Sequence, residues 1–126
     1  MTPLRLVPMR RDSDCGVAAF ATLLGLPYED AAEVITQTNG KLGKGLYLTS
    51  LQRAAKALSK KLLQRKRFDL DEAEGILWVD GGSRMQHFVV LTEGRIYDPA
   101  DNTLWDALDY FTATTSKPRT LLALIA

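Results

Sequence analysis

At 126 residues the chain is long enough for one domain with a real core, and 46% hydrophobic against 25% charged residues is an ordinary globular balance. Sixteen Lys+Arg against fifteen Asp+Glu leave a net charge of +1, so no bulk field draws the protein to nucleic acid or to a membrane surface. A single cysteine excludes an internal disulfide, no run approaches the roughly 20 apolar residues of a membrane span, and the first residues (Arg5, Arg10, Arg11, Asp12) are too polar for a signal peptide. A reducing compartment is expected: the cytoplasm of a bacterium or, for a phage protein, of its host.

Asp12-Ser13-Asp14 supplies N-cap candidates for a first helix, nearly all apolar from Val17 to Leu24, which Gly25 ends. Pro27 and Tyr28-Glu29-Asp30 open a second helix that runs through Val34-Ile35-Thr36 and stops at Asn39-Gly40. A glycine-rich loop follows. Thr49 or Ser50 caps a third helix, Leu51 to about Lys61, with Leu51, Ala54, Ala55 and Leu58 on one face. Ile76 to Val79 reads as a buried strand, and Gly81-Gly82 as a turn leading to His87. His87–Leu91 and Arg95–Tyr97 form a hairpin turned at Thr92-Glu93-Gly94. A short helix is expected over Leu104–Phe111, after an Asp101-Asn102 turn, and a last strand over Leu121–Ile125. Helices first and strands afterwards predict one α+β domain over residues 1–126, with an antiparallel sheet.

The chemistry concentrates in three residues. The only cysteine, Cys15, stands in Asp14-Cys15-Gly16 at the start of the first helix, where unpaired backbone N–H groups and the helix dipole favour a thiolate. The only histidine, His87, opens a strand, and Asp98 lies eleven residues beyond it. A hairpin loop of Leu91 to Gly94 pairs Val90 with Arg95, a register that sets His87 directly opposite Asp98 on one face. A carboxylate there orients the imidazole and leaves its other nitrogen for a thiol. Thiol, base and orienting acid are the parts of covalent acyl transfer.

Asp14-Cys15-Gly16-Val17-Ala18-Ala19, the Gly45-Leu46-Tyr47-Leu48-Thr49-Ser50-Leu51 cluster, His87-Phe88-Val89-Val90-Leu91 and Asp98-Pro99 together give the chain a likeness to a family. It resembles the papain-like peptidases that cut double-glycine leader peptides from bacteriocins and related secreted peptides. The resemblance covers nearly the whole chain. It implies a helical half packed on a C-terminal antiparallel sheet, with the site in the cleft between them. It further implies Cys15 as nucleophile, His87 as general base and acid, Asp98 as the group that orients His87, and a peptide or protein substrate. No cofactor or metal is implied, and one His with one Cys offers too few soft ligands for zinc.

At one position the chain departs from that pattern. The family usually carries a glutamine six residues before the cysteine, whose amide donates to the oxyanion; here Met9 stands there, and a thioether cannot donate. Arg10 and Arg11 are the neighbouring groups able to substitute. A binding module that recognises a peptide without cutting it is therefore the rival to a cysteine hydrolase, and deamidation or acyl transfer a third reading. Family members are often fused to a membrane exporter; without such a segment, the domain is expected to work alone or with a partner in trans.

Other signals carry less. The basic run Lys60 to Arg67 reads as a solvated helix end and an exposed edge strand rather than a nucleic-acid surface, since aromatic residues do not interleave it. Gly40-Lys41-Leu42-Gly43-Lys44-Gly45 fails the spacing of a phosphate loop. Trp78, Tyr97 and Trp105 are cleft or core aromatics.

Overall fold

The computed structural model describes residues 6–10, 14–40 and 46–125. They form helices α1 (Cys15–Leu24), α2 (Tyr28–Asn39), α3 (Leu48–Ala57) and α4 (Ala107–Thr114), with strands β1 (Lys61–Arg65), β2 (Gly75–Asp80), β3 (His87–Thr92), β4 (Arg95–Asp98), β5 (Thr103–Asp106) and β6 (Lys117–Ile125). The strands make one curled sheet in the order β1-β6-β2-β3-β4-β5, antiparallel throughout. The α+β class and the antiparallel sheet expected from the sequence are both present.

Two apolar layers flank the sheet. Helices α1, α2 and α3 bury Val17, Phe20, Ile35, Leu51 and Ala54 against Ile76, Phe88, Val90 and Leu122. On the other face Tyr110 and Ala107 of α4 pack on Leu77, Val79, Val89, Leu91, Ile96 and Leu121. Strand β3 is thus buried on both faces, which explains its unbroken apolar run.

Several boundaries differ from the sequence reading for identifiable reasons. Helix α3 starts at Leu48 and ends at Ala57. Ser50 is therefore not its cap but sits in its first turn, where its hydroxyl accepts from Tyr47 N–H at 3.1 Å. Ser59, at φ 59°, turns the chain so that Lys61 can enter β1 and pair with β6. The segment from Leu104 to Asp106 is strand, not helix, because it pairs with β4; α4 begins only after Asp106, whose carboxylate accepts from the N–H groups of Leu108 and Asp109. Strand β6 begins at Lys117, before Pro118, and the proline is tolerated where the β2–β6 register shifts between Trp78 and Val79. The basic run supplies edge strand β1, as its composition suggested. Residues 12 and 13 and the 41–45 part of the glycine-rich loop lie outside the described residues.

The Gly81-Gly82 turn packs closely on the end of α4. Gly82 has φ +55°, and a Cβ on it would lie 2.0 Å from the Thr114 carbonyl at the end of α4. Next to it, Ser83 N–H donates to that same carbonyl at 2.9 Å. Only glycine fits this approach. Gly82→Ala is expected to destabilise the fold by about 1–3 kcal/mol, read as a lowered denaturant midpoint, whereas Gly40→Ala, with no atom near its Cβ, should cost only the strain of its own positive φ.

Candidate active site

Cys15 is the first residue of α1, nearly buried, with its backbone N–H among the groups that the helix leaves without an internal acceptor. Gly16 explains how the helix end reaches the sheet: a Cβ there would meet the Phe88 ring at 3.2 Å. Phe88 follows His87, so the glycine lets the first turn of α1 lie close against the start of β3. Cys15 and His87 are near enough that a hydrogen bond and the charge of Cys15 both act on the imidazole.

His87 Nε2 lies 2.7 Å from Asp98 Oδ1. The imidazole's remaining nitrogen, Nδ1, is left for Cys15. The three residues singled out in the sequence are thus brought together, though not by the expected register. Thr92 pairs with Arg95 and Val90 with Tyr97, two residues displaced from the expected pairing. The hairpin closes on two residues, Glu93 and Gly94, both at positive φ (51° and 74°), a tighter turn than the four-residue loop expected. A shift of two keeps every side chain on its face. His87 and Asp98 remain same-face neighbours, now diagonal rather than opposite, and the reach of the imidazole spans the difference.

Asp98 is fully buried and carries four donors. Oδ1 takes His87 and the Ala100 N–H at 2.9 Å; Oδ2 takes Arg84 Nε at 2.7 Å and the Tyr110 hydroxyl at 2.8 Å. Arg84 and Tyr110 were not foreseen. The position of Arg84, three residues before the histidine, and that of Tyr110, inside an amphipathic helix, gave no chemical signal without the fold. The same holds for Asp14. Its side chain does not cap α1; its Oδ2 accepts from Arg10 N–H at 3.0 Å and from the Tyr28 hydroxyl at 2.8 Å, fastening the approach to Cys15 onto α2.

Met9 is half-buried against the helical core, and its N–H donates to the Pro99 carbonyl at 3.0 Å. Arg10 does not take the place of a missing donor. Its guanidinium pairs with Glu29 at 2.5 Å and lies 4.4 Å over the Tyr28 ring, turned toward α2. Arg11 lies outside the described residues. Of the three aromatics, Tyr97 is buried and bonded to Asn102, and Trp105 packs edge-on against Tyr110. Trp78 alone faces a groove: with Tyr47, Leu48, Thr49 and Gln64 it lines an open hollow of about 280 Å³. Its indole meets Phe88 edge-on at 4.6 Å, which links the groove to the site. Among the described residues no three His, Cys, Asp or Glu side chains lie close enough to hold a metal ion, and no helix is long and apolar enough to cross a membrane.

The electrostatics follow from the contacts. Burial opposes ionisation of Asp98, but the hydrogen bond and charge of His87, with the Arg84 and Ala100 bonds, hold its carboxyl far below the usual range. Burial likewise opposes a charged His87, and the bonds to Asp98 and Cys15 outweigh it, pushing the imidazole up to about 9. Burial and the Asp98 charge push the Tyr110 hydroxyl up, so it stays a neutral donor. A lowered Asp98 contributes stability that is present above about pH 4 and lost as acid protonates it. A raised His87 contributes stability that is full below about pH 6.5 and lost as pH rises toward 9. Thermal denaturation is therefore expected to show a Tm plateau between about pH 4 and 6.5 and a decline from there to pH 9. His87→Ala should flatten the alkaline decline and shrink the acid limb to what the Arg84 and Ala100 bonds to Asp98 sustain.

No family model and no curated protein sequence matches the chain. Among solved structures it is similar to the peptidase domain of Streptococcus ComA, a bi-functional ABC transporter involved in a quorum-sensing pathway, with a TM-score of 0.68 and 18% identity over 98% of this chain and 100% of that one. It is also similar to a double-glycine motif protease from an AMS/PCAT transporter, solved with its leader peptide, with a TM-score of 0.67 and 15% identity over 98% of this chain and 93% of that one. At that identity the likeness concerns the fold. The described helices and the curled antiparallel sheet are those of the papain-like double-glycine peptidase domains.

Proposed function

We propose that the protein is a cysteine hydrolase that cleaves a peptide or amide bond through an acyl-enzyme on Cys15. The observation that carries this reading is the 2.7 Å contact between His87 Nε2 and a buried, ionised Asp98, with the opposite ring nitrogen left for a thiol at a helix N-terminus. An ionised carboxylate only accepts, so Nε2 donates to Asp98 and Nδ1 is the nitrogen that exchanges a proton with Cys15. In the resting pair the proton sits on the imidazole and the thiolate attacks the carbonyl carbon. The imidazolium gives its proton to the leaving amine, and the neutral ring then takes one from the water that opens the acyl-enzyme. Backbone N–H groups of the first turn of α1, Cys15 among them, would face the oxyanion.

The substrate class follows from the neighbours and from the groove. One neighbour is a protease bound to a leader peptide, and a peptide laid past Trp78 and Tyr47 would set apolar side chains into the hollow beside Phe88. Tyr47 is two-thirds exposed, as a residue awaiting a partner would be.

One observation favours a second reading, a peptide-binding module with weak or no turnover. Met9 supplies no oxyanion donor, and Arg10 is committed to Glu29. Loss of one such donor lowers rates about a hundred- to a thousand-fold.

Alkylation of Cys15 against pH tests the thiolate–imidazolium pair. The expected result is fast reaction persisting well below pH 8, slowed about tenfold or more at pH 6 in His87→Ala. A slow reaction that tracks an ordinary thiol and ignores the mutation would sink the hydrolase. Restoring the donor with Met9→Gln is expected to raise cleavage of a peptide ending in two glycines by about ten- to a thousand-fold. An equal rise in Cys15→Ala would expose it as contamination.

A further inference from the structure

Among the described residues Arg84 is the cation that meets the buried carboxylate besides His87, and three hydrogen bonds fix its guanidinium. Nε donates to Asp98 Oδ2 at 2.7 Å, Nη2 to Asp101 Oδ2 at 3.0 Å and Nη1 to the Ser83 carbonyl at 3.0 Å. All three nitrogens of the planar fork are in use. The residue rides on the 81–86 turn, which ends at the histidine and is tied down by Arg84 N–H to the Gly81 carbonyl (3.0 Å), Ser83 N–H to Thr114 and Gln86 N–H to Asp80 Oδ1 (3.0 Å). The turn that delivers His87 is thus clamped by Arg84 to the carboxylate that orients it.

We propose that Arg84 is a positioning residue for the His87–Asp98 pair. By holding Oδ2 and sharing the charge of Asp98, it keeps Oδ1 for the imidazole and moderates the pull of the carboxylate on the imidazolium proton. The assignment rests on the reading of His87 as the base of a cysteine hydrolase. Oδ2 already has a neutral donor in Tyr110, so a cation is not needed merely to satisfy it. What the cation adds is charge. A carboxylate shared only with neutral donors would hold the imidazolium more tightly, and a proton held too tightly is given up slowly to a leaving amine.

The charged and titratable groups that act on the histidine are Cys15 from α1 and Asp98 from β4, and both favour a charged ring when ionised. Asp98 in turn meets Arg84 from the 81–86 turn and the Tyr110 hydroxyl from α4, which burial keeps neutral, while Asp101 meets the guanidinium from its far side. Arg84 is the opposing charge among the described contacts of Asp98.

Because His87 is the only histidine, its ring resonances can be titrated by NMR without assignment. Arg84→Gln keeps an N–H donor and removes the charge; Arg84→Lys keeps the charge and loses the fork. In Arg84→Gln the His87 midpoint is expected to rise by about one pH unit, and in Arg84→Lys to stay close to the parent value. An unchanged midpoint in Arg84→Gln, or one falling toward that of a free imidazole, overturns the proposal, since a merely structural arginine would do no more than loosen the site. If Arg84→Gln fails to fold, Arg84→Met carries the test: it keeps the apolar stem and removes the charge, so the midpoint should again rise, and no change or a fall overturns the assignment. The two failures stay distinguishable. Failure of the hydrolase reading appears in Cys15 alkylation, and failure of the Arg84 assignment appears in the histidine midpoint.

Discussion

The carboxylate of Asp98 is the constraint on which the rest of this structure turns. A fully buried anion is tolerated only where its lone pairs are met, and here four donors from three separate stretches of chain meet them. His87 opens β3, Arg84 rides the turn before it, Tyr110 reaches up from α4 and Ala100 closes the bend after β4. Each donor is thereby located relative to the others. An imidazole tied to such a centre has little freedom left, and a ring with a fixed tautomer and orientation is what a thiol needs beside it.

A second constraint brings the thiol to the ring. Strand β3 is packed on both faces, so its backbone has no room to shift, and α1 lies against it through a glycine at the one place where a side chain would crowd Phe88. Asp14 secures the other side, bonded to Tyr28 and to the Arg10 N–H, which fixes how the chain enters the helix. The position of Cys15 is therefore set by packing, while that of His87 is set by hydrogen bonds. Two unlike kinds of interaction converge on one site.

The fold is that of double-glycine peptidase domains, yet fold alone does not make a catalyst. Met9 is held by its N–H to the Pro99 carbonyl, next to Asp98 in sequence, and its side chain packs half-buried against the helical core as a hydrophobe does. The imidazole is oriented by a buried carboxylate, while no side-chain amide stands at Met9.

Much of this was legible in the order of residues. Apolar periodicity and glycine stops marked α1 and α2, whose ends depend on neighbours a few positions away. Unbroken apolar runs marked β2 and β3. The lone thiol, imidazole and carboxylate could be singled out because their chemistry is carried by residue type. The rest depended on partners distant in the chain. Residues 104–106 became strand because β4 offered an edge, the Lys61 segment joined the sheet because β6 lay beside it, and the hairpin closed on two residues because Glu93 accepted a positive φ. Arg84 and Tyr110 look like ordinary surface and helix residues until the fold sets them 2.7 and 2.8 Å from one carboxylate. By itself, then, the sequence determined which groups could do chemistry and where α1 and α2 run. Only the tertiary structure decided what holds those groups in place, because a buried charge recruits its donors through space rather than along the chain.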